Sequence, residues 1–303
     1  MKQKALKAGD VIGIAAPASP FDRAKFMKGV HALEHLGFRA IYQKDIFDQN
    51  RYLAGTDKRR ASELEELFLN REVSAVMFAR GGYGSQRIIP LLDQTSLSRH
   101  AKPVIGFSDL TALLTFLRQS CGMPTLYGPV LTQLGAAKGE EEGKALLRAL
   151  CTKGSLEAMP SGGLSIIRAG TACGAVVGGC LSLINSSIGT PYELKTEGAI
   201  LFIEEINEKV YVLDRMLTQL KNSGALTQAR GILFGSIIPP PEEPHHVEQM
   251  IADVLSDFEG PVVTGFPAGH REGFVTLPMG VEARLTADGD TPPRFEYTAG
   301  LFS

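Results

Sequence analysis

The chain contains no tryptophan, only four cysteines, and almost no excess of charge of either sign. Its 31 basic and 33 acidic residues form no basic stripe, which argues against a nucleic-acid-binding protein. The cysteines form no Cys-x-x-Cys pair, so we expect reduced thiols. The apolar run at residues 11–16 is shorter than a secretory core of about 7–15 residues or a spanning helix of about 20. We therefore expect a cytoplasmic protein with no membrane or nucleic-acid partner.

Short apolar runs alternate with amphipathic stretches through the first 120 residues. The pattern predicts strands over residues 11–16, 39–42, 73–78 and 104–107, and helices over 24–36, 57–68, 84–92 and 109–119. Because strands and helices alternate at this spacing, we expect a parallel, Rossmann-like sheet with helices on both faces.

The second half has a different organisation. After a predicted helix at 140–150, a Pro/Ser/Gly-rich stretch at 159–163 is typical of a domain connection. Further strands are predicted over 174–179, 199–203, 231–238, 261–265, 281–285 and 294–297, with helices over 210–221 and 246–258. We predict an N-terminal α/β domain over residues 1–135, a linker region over 136–170, and a smaller, strand-rich α/β C-terminal domain over 171–303.

Ser108 follows an apolar strand directly and precedes a helix, in the sequence Gly106-Phe-Ser-Asp-Leu110. So tight a turn exposes the hydroxyl and places the amide of Asp109 at a helix N-terminus, where it can stabilise developing negative charge. Leu110 stands where the usual nucleophile turn has its second glycine. Ser108 is therefore either a nucleophile or an ordinary helix N-cap.

A serine nucleophile needs a base, and the chain has six histidines. His270 ends a Gly/Pro loop that leaves a predicted strand, where α/β proteins place catalytic residues, although a plain surface histidine fits the same pattern. A second group of residues could instead bind a metal ion, although their spacing matches no common metal site. These candidate ligands are Glu242, Glu243, His245, His246 and Glu248.

The base needs an acid that orients its imidazole. The strand predicted at 199–203 runs into Glu204 and Glu205, and a carboxylate there can accept the imidazole N–H. Side chains alternate along a strand, so one glutamate should point inward, but alternation does not say which. An ordinary acidic loop remains the alternative.

A glycine-rich loop, residues 80–84, follows the third strand. Its glycines let a ligand approach backbone amides, which could receive an oxyanion or cradle a phosphate. Arg87 stands where a dinucleotide fingerprint needs its third glycine, and no Walker-type Gly-Lys-Ser/Thr is present. We therefore expect no nucleotide cofactor.

Together these segments resemble the LD-carboxypeptidases, the serine peptidase family that includes the microcin C immunity proteins. The resemblance covers nearly the whole chain and is specific through the order of its short motifs, at residues 9–12, 16–20, 79–84, 106–114, 178–183, 189–191, 204–205, 214–217 and 265–270. One departure is Cys180, where the family often has asparagine.

The resemblance implies a catalytic set of Ser108, Glu204 and His270. Ser108 would come from the N-terminal domain and the other two from the C-terminal domain, with the active site between them, in a homodimer. The amides of Asp109 and Gly82 would form the oxyanion hole.

The implied function is removal of the terminal D-alanine from cytoplasmic murein tetrapeptides during peptidoglycan recycling, with no metal or cofactor. Arg80 could grip the free carboxylate of the substrate, or could serve in a structural ion pair. One alternative is an immunity-type hydrolase of peptidyl or aminoacyl nucleotide conjugates. Such enzymes often stack a tryptophan on the base, and this chain has none. The other alternative is a non-catalytic, two-domain module that binds a small ligand.

Overall fold

The structure is a computed structural model that describes residues 4–136, 139–156, 159–160, 162–242, 246–289 and 291–302. The chain forms two compact units, and neither is continuous in sequence. The first consists of Met1–Lys153, Glu272–Pro278 and Phe302–Ser303, and the second of Gly154–Arg271 and Met279–Leu301. A short segment near the end of the chain therefore belongs to the first unit.

The first unit is built around a six-stranded sheet. Its strands are β1 (Val11–Ala15), β2 (Arg39–Ile41), β3 (Val73–Phe78), β4 (Val104–Gly106), β5 (Thr125–Tyr127) and β11 (Leu277–Met279). The order across the sheet is β11-β5-β4-β3-β1-β2, and the first five strands of the chain pair in parallel. The predicted parallel α/β domain is confirmed, and its strand order is the flavodoxin-like form of the doubly wound fold. The order reverses between β1 and β3, and ligands of such folds bind outside the carboxyl ends of the strands at this point.

The helices of the first unit are α1 (Arg23–His35), α2 (Asp57–Leu69), α3 (Ser85–Ile88), α4 (Gln94–Arg99), α5 (Thr111–Cys121), α6 (Leu131–Leu134) and α7 (Gly139–Cys151). Helices α1, α2, α5 and α7 begin and end within two residues of the prediction, whereas α4 and α6 were not predicted. Thr56 caps α2, since its Oγ1 accepts the amide of Arg59 at 3.2 Å. The prediction of one helix over 84–92 is wrong in extent: a 3-10 turn containing Pro90 follows α3, because proline has no N–H to continue the helix.

The second unit is built around a mixed, seven-stranded sheet, which confirms the strand-rich α/β prediction. Its strands are β6 (Ser165–Arg168), β7 (Gly170–Cys180), β8 (Ile200–Ile206), β9 (Gly231–Ile238), β10 (Val262–Thr264), β12 (Glu282–Ala287) and β13 (Arg294–Tyr297). They lie in the order β13-β12-β7-β8-β9-β10-β6, parallel from β7 to β10 and antiparallel outside them. The helices are α8 (Leu181–Ser187), α9 (Val210–Asn222), α10 (Ala225–Gln228) and α11 (Val247–Val254).

Helix α9 shows how this sheet is covered. Leu213, Leu217 and Leu220 recur at helical spacing, are buried, and share one apolar cluster with residues of β8 and β9. Among the described residues, no helix has the length and apolar character needed to cross a membrane.

The position of Glu204 and Glu205 corrects an expectation. We predicted that the strand would end before them, but β8 continues through both to Ile206. Both side chains are buried and hydrogen-bonded, so their polarity does not end the strand.

Two helical glycines should give stability changes of opposite sign when replaced by alanine. A Cβ on Gly29 of α1 would lie 2.2 Å from the carbonyl oxygen of Leu131, whereas a Cβ on Gly143 of α7 would meet only the Leu36 side chain, at 3.4 Å or more. We expect Gly29→Ala to lower the free energy of unfolding by about 1–3 kcal/mol through overpacking. Gly143→Ala should raise it by about 0.5–1 kcal/mol, the usual gain in a helix. Urea unfolding followed by circular dichroism measures both, and a Gly29→Ala variant as stable as the parent would contradict the close contact between α1 and α6.

Candidate active site

Ser108 lies in the first unit, at the turn between β4 and α5. Its φ is +64°, in the left-handed region that residues other than glycine rarely adopt. It begins a short 3-10 turn whose N-cap is Phe107, and α5 starts at Thr111. An N-cap residue has extended backbone, so Ser108 is not the N-cap. The strained strand-to-helix turn is the geometry that exposes a nucleophilic hydroxyl.

The incomplete glycine pattern has a steric explanation. A Cβ on Gly106 would lie 2.6 Å from the ring of Phe78 and 2.7 Å from Cδ1 of Leu110. The first glycine is therefore required, and Leu110 occupies buried space at the position where the usual pattern has its second.

Two hydrogen bonds hold the Ser108 backbone in this conformation. Its amide donates to the hydroxyl of the fully buried Tyr127 at 3.1 Å, and its carbonyl accepts from Oγ1 of Thr111 at 2.7 Å. Sequence reasoning missed Tyr127. The available signal is its register: it pairs with Gly106 at the end of the neighbouring parallel strand. Because the Ser108 amide is engaged with Tyr127, the next amide along, that of Asp109, is the better candidate oxyanion donor.

The glycine-rich loop lies directly against Ser108. A Cβ on Gly81 would lie 3.3 Å from Cβ of Ser108 and 3.5 Å from its Oγ. Gly82 has a φ of +100°, and a Cβ there would lie 2.5 Å from Oγ of Ser19. A side chain at Gly82 does not fit against Ser19, and the backbone of Gly81 lies close to the side chain of Ser108.

Arg80 lies at the start of the same loop and is exposed. It borders a cavity of about 620 Å³ in the first unit, together with Lys25, Lys28, Thr132 and Gln133. Its Nη1 donates to the carbonyl of Pro20 at 2.6 Å, and within the described part of the chain it makes no salt bridge. The structural ion pair that was the alternative for Arg80 is therefore not observed.

The second unit joins Glu204 to His270. Oε2 of Glu204 lies 2.8 Å from Nδ1 of His270 and also accepts the His270 amide at 3.1 Å. Glu204 is fully buried, and the His270 side chain is 19% exposed. A carboxylate can only accept, so the proton lies on Nδ1 and, in the neutral ring, Nε2 keeps its lone pair.

Gly269 makes this contact possible. Its φ is +102°, and a Cβ there would lie 2.6 Å from Oε2 of Glu204. The glycine before His270 therefore both allows the turn and leaves room for the carboxylate.

Glu205 serves a different purpose from its neighbour. Its Oε2 accepts the amide of Ser182, in the first turn of α8, at 2.7 Å, and the thiol of Cys180 at 3.4 Å. A carboxylate at a helix N-terminus stabilises the unsatisfied amides there. Burial raises the pKa of Cys180, with the charges of Glu204 and Glu205 adding to the effect, so this sulfur stays a thiol.

The alternative metal cluster has no structural support where the chain is described. Over residues 4–136, 139–156, 159–160, 162–242, 246–289 and 291–302, no group of three or more His, Cys, Asp or Glu side chains could hold a metal ion. Glu243 and His245, two of the five candidate ligands, lie outside the described residues.

Comparison with known proteins finds the same family in the N-terminal and the C-terminal part of the chain. An LD-carboxypeptidase N-terminal domain model matches residues 12–128, and an LD-carboxypeptidase C-terminal domain model matches residues 173–285. The chain is 39% identical over 293 residues to a probable murein peptide carboxypeptidase of Bacillus subtilis (strain 168), covering 94% of this chain and 91% of that protein. It is 31% identical over 284 residues to the murein tetrapeptide carboxypeptidase of Pseudomonas aeruginosa, covering 90% and 92%.

A solved structure shares the fold throughout. The microcin C7 self-immunity protein MccF in complex with aspartyl sulfamoyl adenosine superposes with a TM-score of 0.91 at 25% identity, covering 100% of both chains. Two models of one family match the chain, and a relative aligns with it over nearly its whole length. The chain therefore belongs to the LD-carboxypeptidase family.

Proposed function

We propose that this protein is a cytoplasmic serine carboxypeptidase that hydrolyses the L,D peptide bond to the terminal D-alanine of murein tetrapeptides. The observation that carries the proposal is the Glu204–His270 pair at 2.8 Å, in a chain whose Ser108 occupies a strained nucleophile turn. The names of the Bacillus and Pseudomonas relatives support the murein substrate. The reaction requires that Ser108 and His270 come within hydrogen-bonding reach of each other.

In the proposed mechanism, His270 acts first as a base and then as an acid. Glu204 holds the proton on Nδ1, so Nε2 accepts the proton of Ser108 as Oγ attacks the carbonyl carbon. The tetrahedral oxyanion receives hydrogen bonds from the amides of Asp109 and Gly82. Nε2 then protonates the leaving amine of D-alanine, and water releases the acyl group from Ser108 by the reverse exchange. Every proton in this sequence moves through the imidazole.

Charge also supports the proposed substrate class. A carboxypeptidase must recognise a free carboxylate, and murein stem peptides carry further carboxylates on their acidic residues. Three cations, Arg80, Lys25 and Lys28, and one carboxylate, Asp22, line the cavity of the first unit, which leaves an excess of positive charge there. We propose that Arg80 binds a substrate carboxylate there, because a guanidinium can contact both oxygens.

The direct test is incubation of the protein with a purified disaccharide-tetrapeptide, followed by mass spectrometry. We expect loss of one alanine residue, and no loss with Ser108→Ala, since removing such a nucleophile costs about 10⁶ in rate. An unchanged tetrapeptide with the parent protein would contradict the murein substrate. Equal turnover by Ser108→Ala would contradict the serine mechanism.

A second candidate function is favoured by the likeness to MccF bound to aspartyl sulfamoyl adenosine. Incubation with that conjugate under the same conditions separates the two functions. Turnover of the conjugate without turnover of the tetrapeptide would favour an immunity-type hydrolase. Binding of either compound with no turnover would favour a non-catalytic module.

The two adjacent glutamates provide a matched pair of variants. Glu204→Gln replaces an acceptor of the Nδ1 proton with a group that can donate, which favours the wrong imidazole tautomer, and we expect kcat to fall about 10⁴-fold. Glu205→Gln removes a charge of similar burial that does not contact His270, and should cost about 1–2 kcal/mol of stability with kcat retained. Steady-state kinetics and thermal unfolding of both variants check this. Equal losses of kcat would show that Glu204 has no particular role.

Substitution of Arg80 tests carboxylate recognition. We expect Arg80 to contact the carboxylate in the substrate and in the transition state alike. Arg80→Met should then raise KM about 10–100-fold, which corresponds to the free energy of a charge-assisted hydrogen bond, with a smaller change in kcat. Arg80→Lys should recover only part of the loss, because an ammonium cannot form the bidentate contact. A normal KM in Arg80→Met would assign Arg80 only to its contact with Pro20.

A further inference from the structure

We propose that Arg60 is a positioning residue that clamps the loops after β1 and β3, so that the glycine-rich loop, which carries the proposed oxyanion donor Gly82, keeps its place against Ser108. This inference rests on the proposed function and adds a residue that contacts neither substrate nor reacting atoms. Arg60 lies on α2, outside every motif that the sequence analysis selected.

The surroundings of Arg60 are unusual for a charged side chain. It is fully buried, and arginine is almost never so unless paired. Its Nη2 forms an ion pair with Asp57 at 2.5 Å, and Asp57 also receives a forked contact from Arg87, at 3.0 Å from Nε and 2.7 Å from Nη2. The charge is therefore neutralised on one side of the guanidinium.

The other side of the guanidinium joins two loops. Nη1 donates both to the carbonyl of Pro17, after β1, and to the carbonyl of Gly84, after β3, the second at 2.8 Å. These two strands flank the point where the strand order reverses, which is where doubly wound folds bind ligands. One nitrogen thus sets the spacing of the two loops that border the candidate site.

Further contacts complete the same clamp. The amide of Tyr83 donates to Oγ of Ser19 at 3.0 Å, and the amide of Ser19 donates to the carbonyl of Gly81 at 3.3 Å. Gly82, between these two bonded positions, is therefore held from both sides.

Asp109 ties the same loop to the nucleophile turn. Its Oδ2 accepts the amide of Ser85 at 2.9 Å, and its carbonyl accepts Oγ of Ser85 at 2.6 Å. Arg60 and Asp109 thus bind adjacent residues, Gly84 and Ser85, at the end of the loop. A shift of the loop would change the position of the Gly82 amide relative to Ser108.

The loop needs such a clamp because glycines impose little conformational preference of their own. With three glycines between Arg80 and Ser85, external contacts must hold the loop in one conformation. Misplacing a catalytic group by about 1 Å can cost about 10²-fold in rate. Loss of Arg60 should therefore act on kcat although Arg60 itself is remote from the chemistry.

The test compares Arg60→Lys and Arg60→Met with the same changes at Arg59. Arg59 is the neighbouring arginine on α2. Its guanidinium bonds to the carbonyl of Ala54 and to Glu63, which accepts the amide of Ala16, but it does not bond to Pro17 or Gly84, the two loop carbonyls that Arg60 joins. Kinetics on the murein tetrapeptide are normalised to active sites titrated with a fluorophosphonate. We expect kcat to fall about 30–100-fold in the Arg60 variants with KM nearly unchanged, and to stay near the parent value in the Arg59 variants.

Two additional readouts separate positioning from a merely structural role. The affinity of a peptidyl boronate, which forms a tetrahedral adduct with a serine nucleophile, should fall in parallel with kcat, while binding of the intact tetrapeptide in a Ser108→Ala background should not. Hydrogen exchange of the amides at residues 81–85 should be faster in Arg60→Lys than in Arg59→Lys. If both Arg60 variants fail to fold, Asp57→Asn, which releases the guanidinium from its ion pair, replaces them with the same expected changes.

The outcomes distinguish the two proposals. A lower melting temperature with unchanged kcat per active site and unchanged exchange would overturn the positioning role. If the parent protein does not hydrolyse the tetrapeptide, the proposed function fails, and the exchange measurement alone decides whether Arg60 clamps the loop.

Discussion

The close packing of the glycine-rich loop against Ser108 is the constraint on which the candidate site depends. Ser108 is held in a left-handed conformation that costs a non-glycine residue about 1–2 kcal/mol. The hydrogen bonds from the Ser108 amide to Tyr127 and from Thr111 to the Ser108 carbonyl offset that cost. A Cβ on Gly81 would lie 3.3 Å from the Cβ of Ser108, so the loop backbone and Ser108 are in close contact. The position of the candidate nucleophile relative to the glycine-rich loop is thus a product of this tight packing.

The second unit holds the carboxylate of Glu204 away from water. Glu204 is fully buried, and one of its oxygens receives both the ring and the backbone N–H of His270. Such a group is tolerated only because it is bonded, and its partner is fixed in return. The bare backbone of Gly269 leaves room for that oxygen. Orientation of the imidazole is therefore built into the sheet and the following loop, before any substrate binds.

Cys180 illustrates how a departure from the family pattern can be absorbed. The thiol is buried between Ser182 and Glu205, and its raised pKa removes the thiolate that would make it reactive. Glu205 also accepts the amide of Ser182 at the start of α8, so Cys180 takes part in a structural contact of the second unit. Cysteine at position 180 is compatible with membership of the LD-carboxypeptidase family, because the hydrogen bond between Glu204 and His270 does not involve this side chain.

Local pattern determined much of this protein from the sequence alone: the alternation of strands and helices, the class of both domains, and the motifs around Ser108, Glu204 and His270. Strands β5 and β6 were not predicted, although β2 and β4, which are as short, were: three or four residues show no period, and β2 and β4 were identified by their alternation with neighbouring helices. Strand alternation left open which glutamate meets the imidazole, and the family resemblance implied Glu204; the tertiary structure shows the contact itself, between residues 66 apart in sequence. The same holds for Tyr127 and Arg60, whose partners lie on other strands and loops, and for the segment Glu272–Pro278, which joins the first unit. Contacts between distant residues depend on how the elements pack, and no local periodicity records them.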